Sequence, residues 1–312
     1  MMNMEDSIYV AGSTGLVGSA IVRRLKDSGY RNVIGYSSHD FDLTDEQNVN
    51  TIFRIHKPKY VFNAAAVVGG ILANERDRIR FLQENLSIQR NLITAASDYR
   101  VDRYMFLGST CIYPRDAPVP TMETALLTGP LERTNEAYAL AKIAGVKEAQ
   151  YFWEDAGLKT ICLMPTNLYG PNDNFNQISG HVIPSLINKF CTDRDVVRCL
   201  GTGSPHREFM HVDDLADAAV FMMNNQFVQF GTLYNVGTSV THSISEIVSM
   251  IKEYSGSKAE VQWNTDAPNG AYRRLLDSSR ISALGWKSKI RLEDGLKDTI
   301  LWYRSNYPNV KK

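Results

Sequence analysis

The first two thirds of the chain alternate short apolar runs with longer segments in which apolar residues recur every three or four positions. The short runs are typical of buried strands, and the longer segments are typical of amphipathic helices. This alternation predicts an α/β fold built on a doubly wound parallel sheet of the Rossmann type. The predicted strands of that sheet are Ser7–Val10, Asn32–Tyr36, Lys59–Ala66, Tyr104–Leu107, Thr160–Met164 and Thr232–Val236.

Helices are predicted between these strands and again towards the end of the chain. The first ends near Ser28, and the others are Asp45–His56, about Arg80–Tyr99, Asn135–Glu154, His181–Phe190, one starting within Phe209–Asp214, one after Ser243, and Leu292–Asn306. Polar or glycine-rich stretches predict loops or turns at Val67–Gly70, Pro165–Pro171, Asn172–Gly180 and Gly201–Glu208.

Composition changes after about residue 170, and the strict alternation of strands and helices stops there. A further strand is predicted at Glu260–Trp263. We therefore predict a dinucleotide-binding domain of residues 1–170 and 212–240. A smaller α+β C-terminal substrate-binding domain would take residues 171–211 and 241–312.

Charge and cysteine content narrow the classes of function. The 312 residues include 34 basic and 34 acidic side chains, so the net charge gives no reason to expect nucleic acid or an anionic membrane as a partner. No apolar run approaches the ~20 residues of a membrane span, and no signal-peptide pattern is visible. The four cysteines show neither metal-ligand spacing nor a disulfide framework. We expect a cytoplasmic protein with reduced thiols and no metal.

The loop after the first strand carries three glycines, Gly12, Gly15 and Gly18, between a strand and a helix. The first glycine permits a tight turn, the second lets backbone approach a pyrophosphate, and the third lets helix and strand pack closely. The helix N-terminus supplies free N–H groups for the phosphates. We expect a dinucleotide here, and the other residues assigned to its site are Ser13, Thr14, Leu16 and Val17.

The end of the second strand bears on the choice of cofactor. Cofactors with a free ribose 2′-hydroxyl usually meet an acidic residue there, whereas Tyr36, Ser37 and Ser38 are uncharged. This favours NADP, with the hydroxyls and His39 near the 2′-phosphate. Asp42 is expected to approach the adenine, although a capping role before the next helix explains it nearly as well.

Tyr138 and Lys142 are four residues apart among good helix formers, so both project from one helix face. A phenol loses its proton near pH ~10, and we expect the neighbouring ammonium to lower that pKa. Ser109 follows a predicted strand at its carboxyl end, where ligands bind in open α/β sheets. Together these groups can handle a proton at a carbonyl oxygen while a nicotinamide handles the hydride. Alone, the tyrosine–lysine spacing also fits an ordinary exposed pair.

With the glycine loop, Ser109, Tyr138 and Lys142 in this order, the chain resembles the extended short-chain dehydrogenase/reductase family. Further segments resemble the branch of that family that acts on GDP-4-keto-6-deoxy-D-mannose, and the resemblance covers nearly the whole chain. These segments are Gly108–Pro114, Pro130–Lys142, Met164–Pro171, His181–Pro184 and Arg207–Asp214.

The resemblance implies 3,5-epimerisation of that GDP-sugar, followed by NADPH-dependent reduction of its 4-keto group to give GDP-L-fucose. It implies Cys111 as the base and His181 as the acid of epimerisation. It implies that Tyr138 and Ser109 hold the C4 oxygen, and that Lys142 reaches the nicotinamide ribose. Other residues it assigns to the cofactor are Leu107, Gly108, Pro165, Thr166, Asn167, Leu168 and His181.

The nucleotide end of the substrate is assigned by the same resemblance to Lys189, Arg207 and Asn269. The chain departs from the family pattern at two positions. Leu200 stands where a tryptophan is usual, and Asn269 stands where an aspartate is usual. The remaining histidines lack metal-ligand spacing and are expected to have surface or capping roles: His39, His56, His206, His211 and His242.

A homodimer is expected through the helices Arg80–Tyr99 and Asn135–Glu154, because each carries more apolar residues than one sheet face can cover. The resemblance implies the same four-helix arrangement. The alternative is that these residues simply pack on the sheet. They are Phe81, Leu82, Leu86, Leu92 and Ile93 on the first helix, and Val146, Tyr151, Phe152 and Trp153 on the second.

Two other functions remain open at this stage. A UDP-hexose 4-epimerase that retains its NAD would need Tyr138 and Lys142, but it gives no reason for a Cys111–His181 pair. A catalytically silent nucleotide-binding protein would give no reason for an intact set of Ser109, Tyr138 and Lys142.

Overall fold

The computed structural model describes residues 1–193, 195–266 and 273–311. Within them the strands are β1 Ile8–Ala11, β2 Val33–Ile34, β3 Tyr60–Asn63, β4 Arg103–Leu107, β5 Thr160–Pro165, β6 Asn167–Tyr169, β7 Val196–Leu200, β8 His206–His211, β9 Thr232–Val236, β10 Thr241–Ser243, β11 Glu260–Asn264 and β12 Arg273–Arg274. The α-helices are α1 Leu16–Asp27, α2 Glu46–His56, α3 Ile71–Arg76, α4 Arg78–Asp98, α5 Glu136–Ala156, α6 Val182–Thr192, α7 Val212–Asn224, α8 Ile244–Tyr254, α9 Ser279–Ala283 and α10 Leu292–Asn306.

A six-stranded parallel sheet in the order β2-β1-β3-β4-β5-β9 forms the centre of the protein. Successive side chains of a strand point to opposite faces, so Ile8 and Val10 join the core beneath α1 and α7. Tyr9 and Ala11 join a second core with α2, α4 and α5 on the other face. The doubly wound parallel sheet expected from the sequence is confirmed.

The turn between β1 and α1 depends on two glycines. Gly12 has φ +75°, and a Cβ atom there would lie 2.8 Å from the carbonyl oxygen of Ala64. A Cβ atom on Gly18 would collide with the carbonyl oxygen of Gly12. Only glycine therefore lets α1 start this close to the end of β1.

The remaining strands lie outside the central sheet. Strand β8 pairs in parallel with β6 and β12 and antiparallel with β10. Strands β7 and β11 form a parallel pair, and α6, α8 and α10 pack with that pair around a third apolar core. No helix in the described part of the chain is both long enough and apolar enough to cross a bilayer.

Glu208, in the middle of β8, is fully buried and accepts three backbone hydrogen bonds. Its carboxylate receives the N–H of Thr238 at 2.7 Å, of Ser239 at 2.8 Å and of Leu276 at 3.0 Å. Its backbone carbonyl accepts from the side chains of Thr166 and Asn167 at 3.1 and 2.9 Å. One residue thus holds three remote segments of the chain together.

Several local predictions were wrong. Residues 206–208 form the start of β8 rather than part of a loop, and Phe209–His211 continue that strand, so the helix begins only at Val212. Polar residues here pair with three other strands, and tertiary contacts override their local preference. Strand β7 also lies in a stretch without a predicted element, although its residues alternate between more and less exposed positions.

Other boundaries also differ from the prediction. The segment after Gly70 forms the short helix α3, and α4 begins at Arg78. The expected turn after Pro165 contains strand β6, because Asn167 and its neighbours pair with β8. Helix α6 begins at Val182, with His181 at its N-cap position.

The apolar residues of α4 and α5 face mainly inward. On α4, Phe81, Leu92 and Ile93 are buried, and on α5 Val146 is buried. Four of the nine residues named for the dimer interface are therefore inside the protein, because the two helices pack on each other and on the sheet. Further along α5, Phe152 packs on the core and Trp153 contacts Phe230 at 5.4 Å between ring centroids. The exposed or half-exposed apolar residues of the pair include Ile79, Leu82, Leu86, Leu140 and Tyr151.

Candidate active site

Lys142 is held inside the protein at the carboxyl end of β4. Its side chain is 4% exposed, and its ammonium donates a hydrogen bond of 2.9 Å to the carbonyl oxygen of Leu107. The nitrogen lies 4.8 Å from the ring centroid of Phe106 and 5.8 Å from that of Tyr138. Helix α5 approaches the sheet closely because Gly145 has no Cβ atom to collide with Phe106. The tyrosine and lysine are therefore a packed pair and not an exposed one.

Ser109 and Cys111 follow β4 directly, on the same side as this pair. Gly108 packs against the side chain of Met164, where a Cβ atom would not fit. Ser109 caps the 3-10 turn Thr110–Ile112, and its hydroxyl oxygen accepts the N–H of Cys111 at 3.4 Å. The carboxyl end of β4 thus places a hydroxyl and a thiol beside the phenol and the ammonium.

Burial controls the ionisation of this group. It raises the pKa of Tyr138 far above its ordinary value, and charge on Cys111 adds to that increase. It raises the pKa of Cys111 to about 11, against smaller lowering effects of Ser109 and Lys142. It lowers the pKa of Lys142 to about 8. The expectation that the pKa of Tyr138 is lowered is wrong for this structure, because exclusion of water raises it.

A chain of contacts links Tyr138 to the segment just before His181. The ring of Tyr138 meets that of Phe81 edge-on at 6.3 Å, and a Cβ atom on Gly69 would lie 3.2 Å from the Phe81 ring. The N–H of Gly70 donates to the carbonyl oxygen of Ser179 at 3.1 Å, two residues before His181. His181 is exposed as a residue, yet exclusion of water by the protein around its ring lowers the pKa of His181, which favours its neutral form.

The glycine loop fits a dinucleotide phosphate. Gly15 is the N-cap residue of α1, without a side-chain cap for the first N–H groups of the helix. A Cβ atom there would have only one near neighbour, the carbonyl oxygen of Gly12 at 3.4 Å. The protein itself therefore does not require glycine at this position, whereas a pyrophosphate packed against the backbone would. Ser13 donates at 3.2 Å to the carbonyl oxygen of Tyr36, which joins this loop to the end of β2.

The segment after β2 differs in part from expectation. Asp42 is exposed, and its carboxylate accepts from the backbone N–H and the hydroxyl of Thr44 at 2.9 and 2.8 Å. The cap of α2 is Asp45 rather than Asp42. The hydroxyl of Ser37 donates to Asp40 at 2.6 Å, and His39 is exposed beside them.

The predicted cofactor residues after β5 have structural bonds of their own. The side chains of Thr166 and Asn167 both donate to the carbonyl oxygen of Glu208. Pro165 is buried at the end of β5, and Leu168 packs on the core beneath α1 and α7. The side chains of Thr166 and Asn167 thus fix the path of the chain beside the sheet.

The predicted nucleotide residues Lys189 and Arg207 lie on α6 and β8. Lys189 donates from α6 to the carbonyl oxygen of Arg198 at 3.0 Å. Arg207 donates to the carbonyl oxygen of His206 at 2.8 Å, and burial lowers its pKa. Leu200 is 69% exposed. Asn269, also assigned to this region by the sequence, lies outside the described residues.

Arg274 is a residue of this region that the sequence analysis missed. Strand pairing aligns it with Arg207, and the charges of the two guanidinium groups act on each other. Its charge also lowers the pKa of Cys111, against the larger effect of burial. Arg274 therefore lies close enough to act on both the guanidinium of Arg207 and the thiol of Cys111. The two adjacent arginines at positions 273 and 274 were the feature of the sequence that could have indicated an anion-binding role.

The hydrogen bonds of His211 and His56 agree with the surface or capping roles expected for the other histidines. His211 is buried and caps α7, since its ring nitrogen accepts the N–H of Asp213 at 3.3 Å. His56 shares a hydrogen bond of 2.6 Å with Tyr36. His206 and His242 lie on the paired strands β8 and β10. In residues 1–193, 195–266 and 273–311, no group of three or more histidines, cysteines or acidic residues could hold a metal ion.

Comparisons with known proteins agree with this geometry. A model of the NAD dependent epimerase/dehydratase family matches residues 8–237. GDP-L-fucose synthase 1 of Arabidopsis thaliana is 45% identical, covering 99% of this chain and 96% of its own. GDP-L-fucose synthase of Escherichia coli is 39% identical, covering 97% and 98%. The structure of a GDP-L-fucose synthetase from Naegleria fowleri bound to NADP is 26% identical, with a TM-score of 0.92 over 100% of this chain and 98% of its own.

The glycine loop provides a test of cofactor binding. Gly15→Ala should change the free energy of unfolding by less than about 0.5 kcal/mol, because alanine can adopt φ −85° and the methyl group has room. Its affinity for NADPH should fall at least about tenfold, because the methyl occupies pyrophosphate space. Gly18→Ala, the matched control, should lose about 1–3 kcal/mol of stability. Urea unfolding and fluorescence titration measure both quantities, and unchanged NADPH affinity in Gly15→Ala would contradict the assignment.

Proposed function

The chain belongs to the NAD dependent epimerase/dehydratase family, and within that family we propose that it converts GDP-4-keto-6-deoxy-D-mannose to GDP-L-fucose. The reaction comprises epimerisation at C3 and C5 followed by NADPH-dependent reduction at C4. Support comes from relatives named GDP-L-fucose synthase that align over nearly the whole chain.

The observation that carries the proposal is a thiol within the reductase site. Cys111 follows Ser109 at the end of β4, and its ionisation is coupled to those of Tyr138 and Lys142. A UDP-hexose 4-epimerase needs only hydride and hydroxyl proton transfer, so it gives no role to that thiol. A protein that merely binds nucleotides gives no reason to bury Lys142 against Tyr138 and Leu107.

Epimerisation requires a base on one face of the sugar and an acid on the other. The C4 ketone acidifies the hydrogens on C3 and C5, and Cys111 removes each of them as the thiolate. The raised pKa of Cys111 makes the thiol rare as a thiolate but strong as a base. His181 returns a proton from the opposite face as the imidazolium and is left neutral; its lowered pKa makes the imidazolium the minor form but a stronger acid. Ser109 and Tyr138 donate hydrogen bonds to the C4 oxygen, where the enolate charge develops.

Reduction uses the same oxygen contacts. NADPH supplies the hydride to C4 when bound. Tyr138 gives its proton to the oxygen, and its raised pKa keeps the phenol protonated until that moment. Lys142 is charged below its pKa of about 8, so at neutral pH it stabilises the phenolate that remains. A raised tyrosine pKa therefore suits an acid, although it would hinder the reverse reaction.

Cofactor preference follows from the end of β2. The residues after Ile34 are uncharged until His39. The carboxylate of Asp40 is bonded to the hydroxyl of Ser37, so the 2′-phosphate is assigned to the side of Ser38 and His39. Residues 12–18 hold the pyrophosphate, residues 165–168 and 107–108 line the nicotinamide side, and Asp42 orders the loop beside the adenine through Thr44. His181, at the N-cap position of α6, contacts the same cofactor.

The GDP end of the substrate lies against the cationic group of Lys189 and Arg207. Their guanidinium and ammonium charges suit a pyrophosphate, and the guanidinium can bind it through two bonds. From the family pattern, Asn269 is also proposed to contact the nucleotide end of the substrate. Leu200 leaves the base without the aromatic surface that a tryptophan would give.

The protein is proposed to work in the cytoplasm, with Cys111 and the other cysteines reduced, as the unpaired thiols of the structure suggest. The proposed division is a dinucleotide-binding domain of residues 1–170 and 212–240, and a substrate-binding domain of residues 171–211 and 241–312. A homodimer is proposed through α4 and α5, where Ile79, Leu140 and Tyr151 are 73%, 46% and 56% exposed.

One assay tests the proposed reaction. Incubation with GDP-4-keto-6-deoxy-D-mannose and NADPH should give one NADP for each GDP-L-fucose, measured by absorbance and by chromatography with NMR. Tyr138→Phe is the control and should lose reduction while still binding NADPH. Interconversion of UDP-hexoses without net cofactor consumption would support the 4-epimerase instead. Binding of nucleotides without any turnover would support the silent protein.

The division of labour predicts a second result. Cys111→Ser should lower exchange of the C3 and C5 hydrogens with deuterated solvent at least about 100-fold, with NADPH affinity unchanged. Cys191→Ser, which alters a half-buried thiol on α6, is the matched control.

His181→Asn should block completed inversion more than initial proton loss. Wild-type exchange should rise with pH through the neutral range, since the thiolate fraction grows towards the pKa of about 11. Normal exchange at both carbons in Cys111→Ser would exclude this base.

Dimerisation predicts a third result. Tyr151→Glu should convert a dimer to a monomer, because it buries charge in an apolar interface. Ile55→Glu on α2 is the control, since Ile55 is 61% exposed on another helix. Sedimentation equilibrium at micromolar concentration measures both variants. A monomer mass for the unaltered protein would remove the proposed interface.

A further inference from the structure

The side chain of Asn135 has an unexplained polar atom next to the candidate active site. Its Oδ1 atom is buried and has no hydrogen-bond partner within the described residues. Asn135 occupies the N-cap position of α5, yet its side chain makes no capping bond. Buried polar groups are nearly always paired, and an unpaired one costs roughly 1–3 kcal/mol. The protein therefore maintains an acceptor that it does not itself use.

The position of Asn135 places this acceptor beside the reacting groups. It ends the 3-10 turn Arg133–Asn135 and stands three residues before Tyr138, about one turn away on the same side of the chain. That 3-10 turn packs beside α3, whose N-cap residue Gly70 is bonded to Ser179 near His181. Asn135 thus belongs to a turn that leads into the helix of Tyr138 and packs beside α3, which is itself bonded to the segment before His181.

The chemistry of the group indicates its partner. A carboxamide accepts a hydrogen bond through Oδ1 and donates through Nδ2. A sugar hydroxyl can also both donate and accept, so it can pair with either atom. Neighbouring positions on one side of a helix place their Cβ atoms about 5–6 Å apart. One hexose can therefore place its C4 oxygen on Tyr138 and a ring hydroxyl on Asn135.

We propose that Asn135 is a substrate-binding residue that hydrogen-bonds the hydroxyl on C2 or C3 of the hexose and so aligns C4 with Tyr138. This assignment rests on the proposed function, which it extends to specificity for the sugar. The hydroxyl of the bound sugar pairs with the acceptor that the described residues leave unpaired. A substrate without that hydroxyl leaves the amide unpaired and is bound less well in the transition state.

The test compares three substrates in two proteins. The substrates are GDP-4-keto-6-deoxy-D-mannose and its 2-deoxy and 3-deoxy analogues, and kcat/KM is measured by NADPH oxidation. Asn135→Ala should lose about tenfold or more with the full substrate. With the analogue that lacks the bonded hydroxyl, the kcat/KM values of Asn135→Ala and the wild type should agree within about twofold. The analogue has already lost the hydrogen bond, so removing the amide costs little more.

The control is Thr134→Ala, which removes a neighbouring hydroxyl that donates to Glu132 at 3.4 Å. It should retain kcat/KM with all three substrates. The affinity for NADPH and the Tm of Asn135→Ala should match the wild type.

Equal loss of kcat/KM with all three substrates would show a structural role and overturn the assignment. Unchanged kcat/KM in Asn135→Ala would also overturn it, while leaving the proposed function intact. If the wild type does not oxidise NADPH with the full substrate, the proposed function fails, and this inference fails with it.

Discussion

The substrate side of the protein depends on one buried carboxylate. Glu208 accepts the backbone N–H groups of Thr238, Ser239 and Leu276, and these bonds offset the cost of burying its charge. Through them the strand that carries Arg207 is joined to the loop after β9 and to the segment that carries Arg274. That segment also pairs with Thr121, which lies ten residues after Cys111. The single residue Glu208 thus joins the strand of Arg207, the segment of Arg274 and, through Thr121, the chain that follows Cys111.

Exclusion of water is the second constraint, and it acts on every ionisable group of the site. The same burial that raises the pKa values of Tyr138 and Cys111 lowers that of Lys142, because each change favours the neutral form. The free site therefore holds a phenol and a thiol that are protonated at neutral pH. Such a site is arranged to give a proton to a developing oxygen charge, and it forms its strongest base only in a small fraction of molecules.

The cofactor side and the substrate side are built on different principles. On the cofactor side, Gly12 and Gly18 are required by close backbone contacts of the protein itself, while Gly15 leaves space for a phosphate. On the substrate side, specificity is proposed to depend on polar groups such as Arg207 and Asn135. The first kind of site follows from the fold, which many functions share. The second kind distinguishes one nucleotide sugar from another.

The sequence by itself determined the parallel sheet, the glycine turn and the pairing of Tyr138 with Lys142, because these depend on residues close together in the chain and on regular periodicity. It also predicted Ser109 and Cys111 at the end of β4, since ligands in such sheets meet the carboxyl ends of strands. It did not predict β8, because polar residues such as Glu208 become strand only when remote segments satisfy them. It gave the wrong direction for the pKa of Tyr138, and it missed Arg274. Those features were decided by the tertiary structure, since burial and the distance between remote charges are set only when the chain has folded.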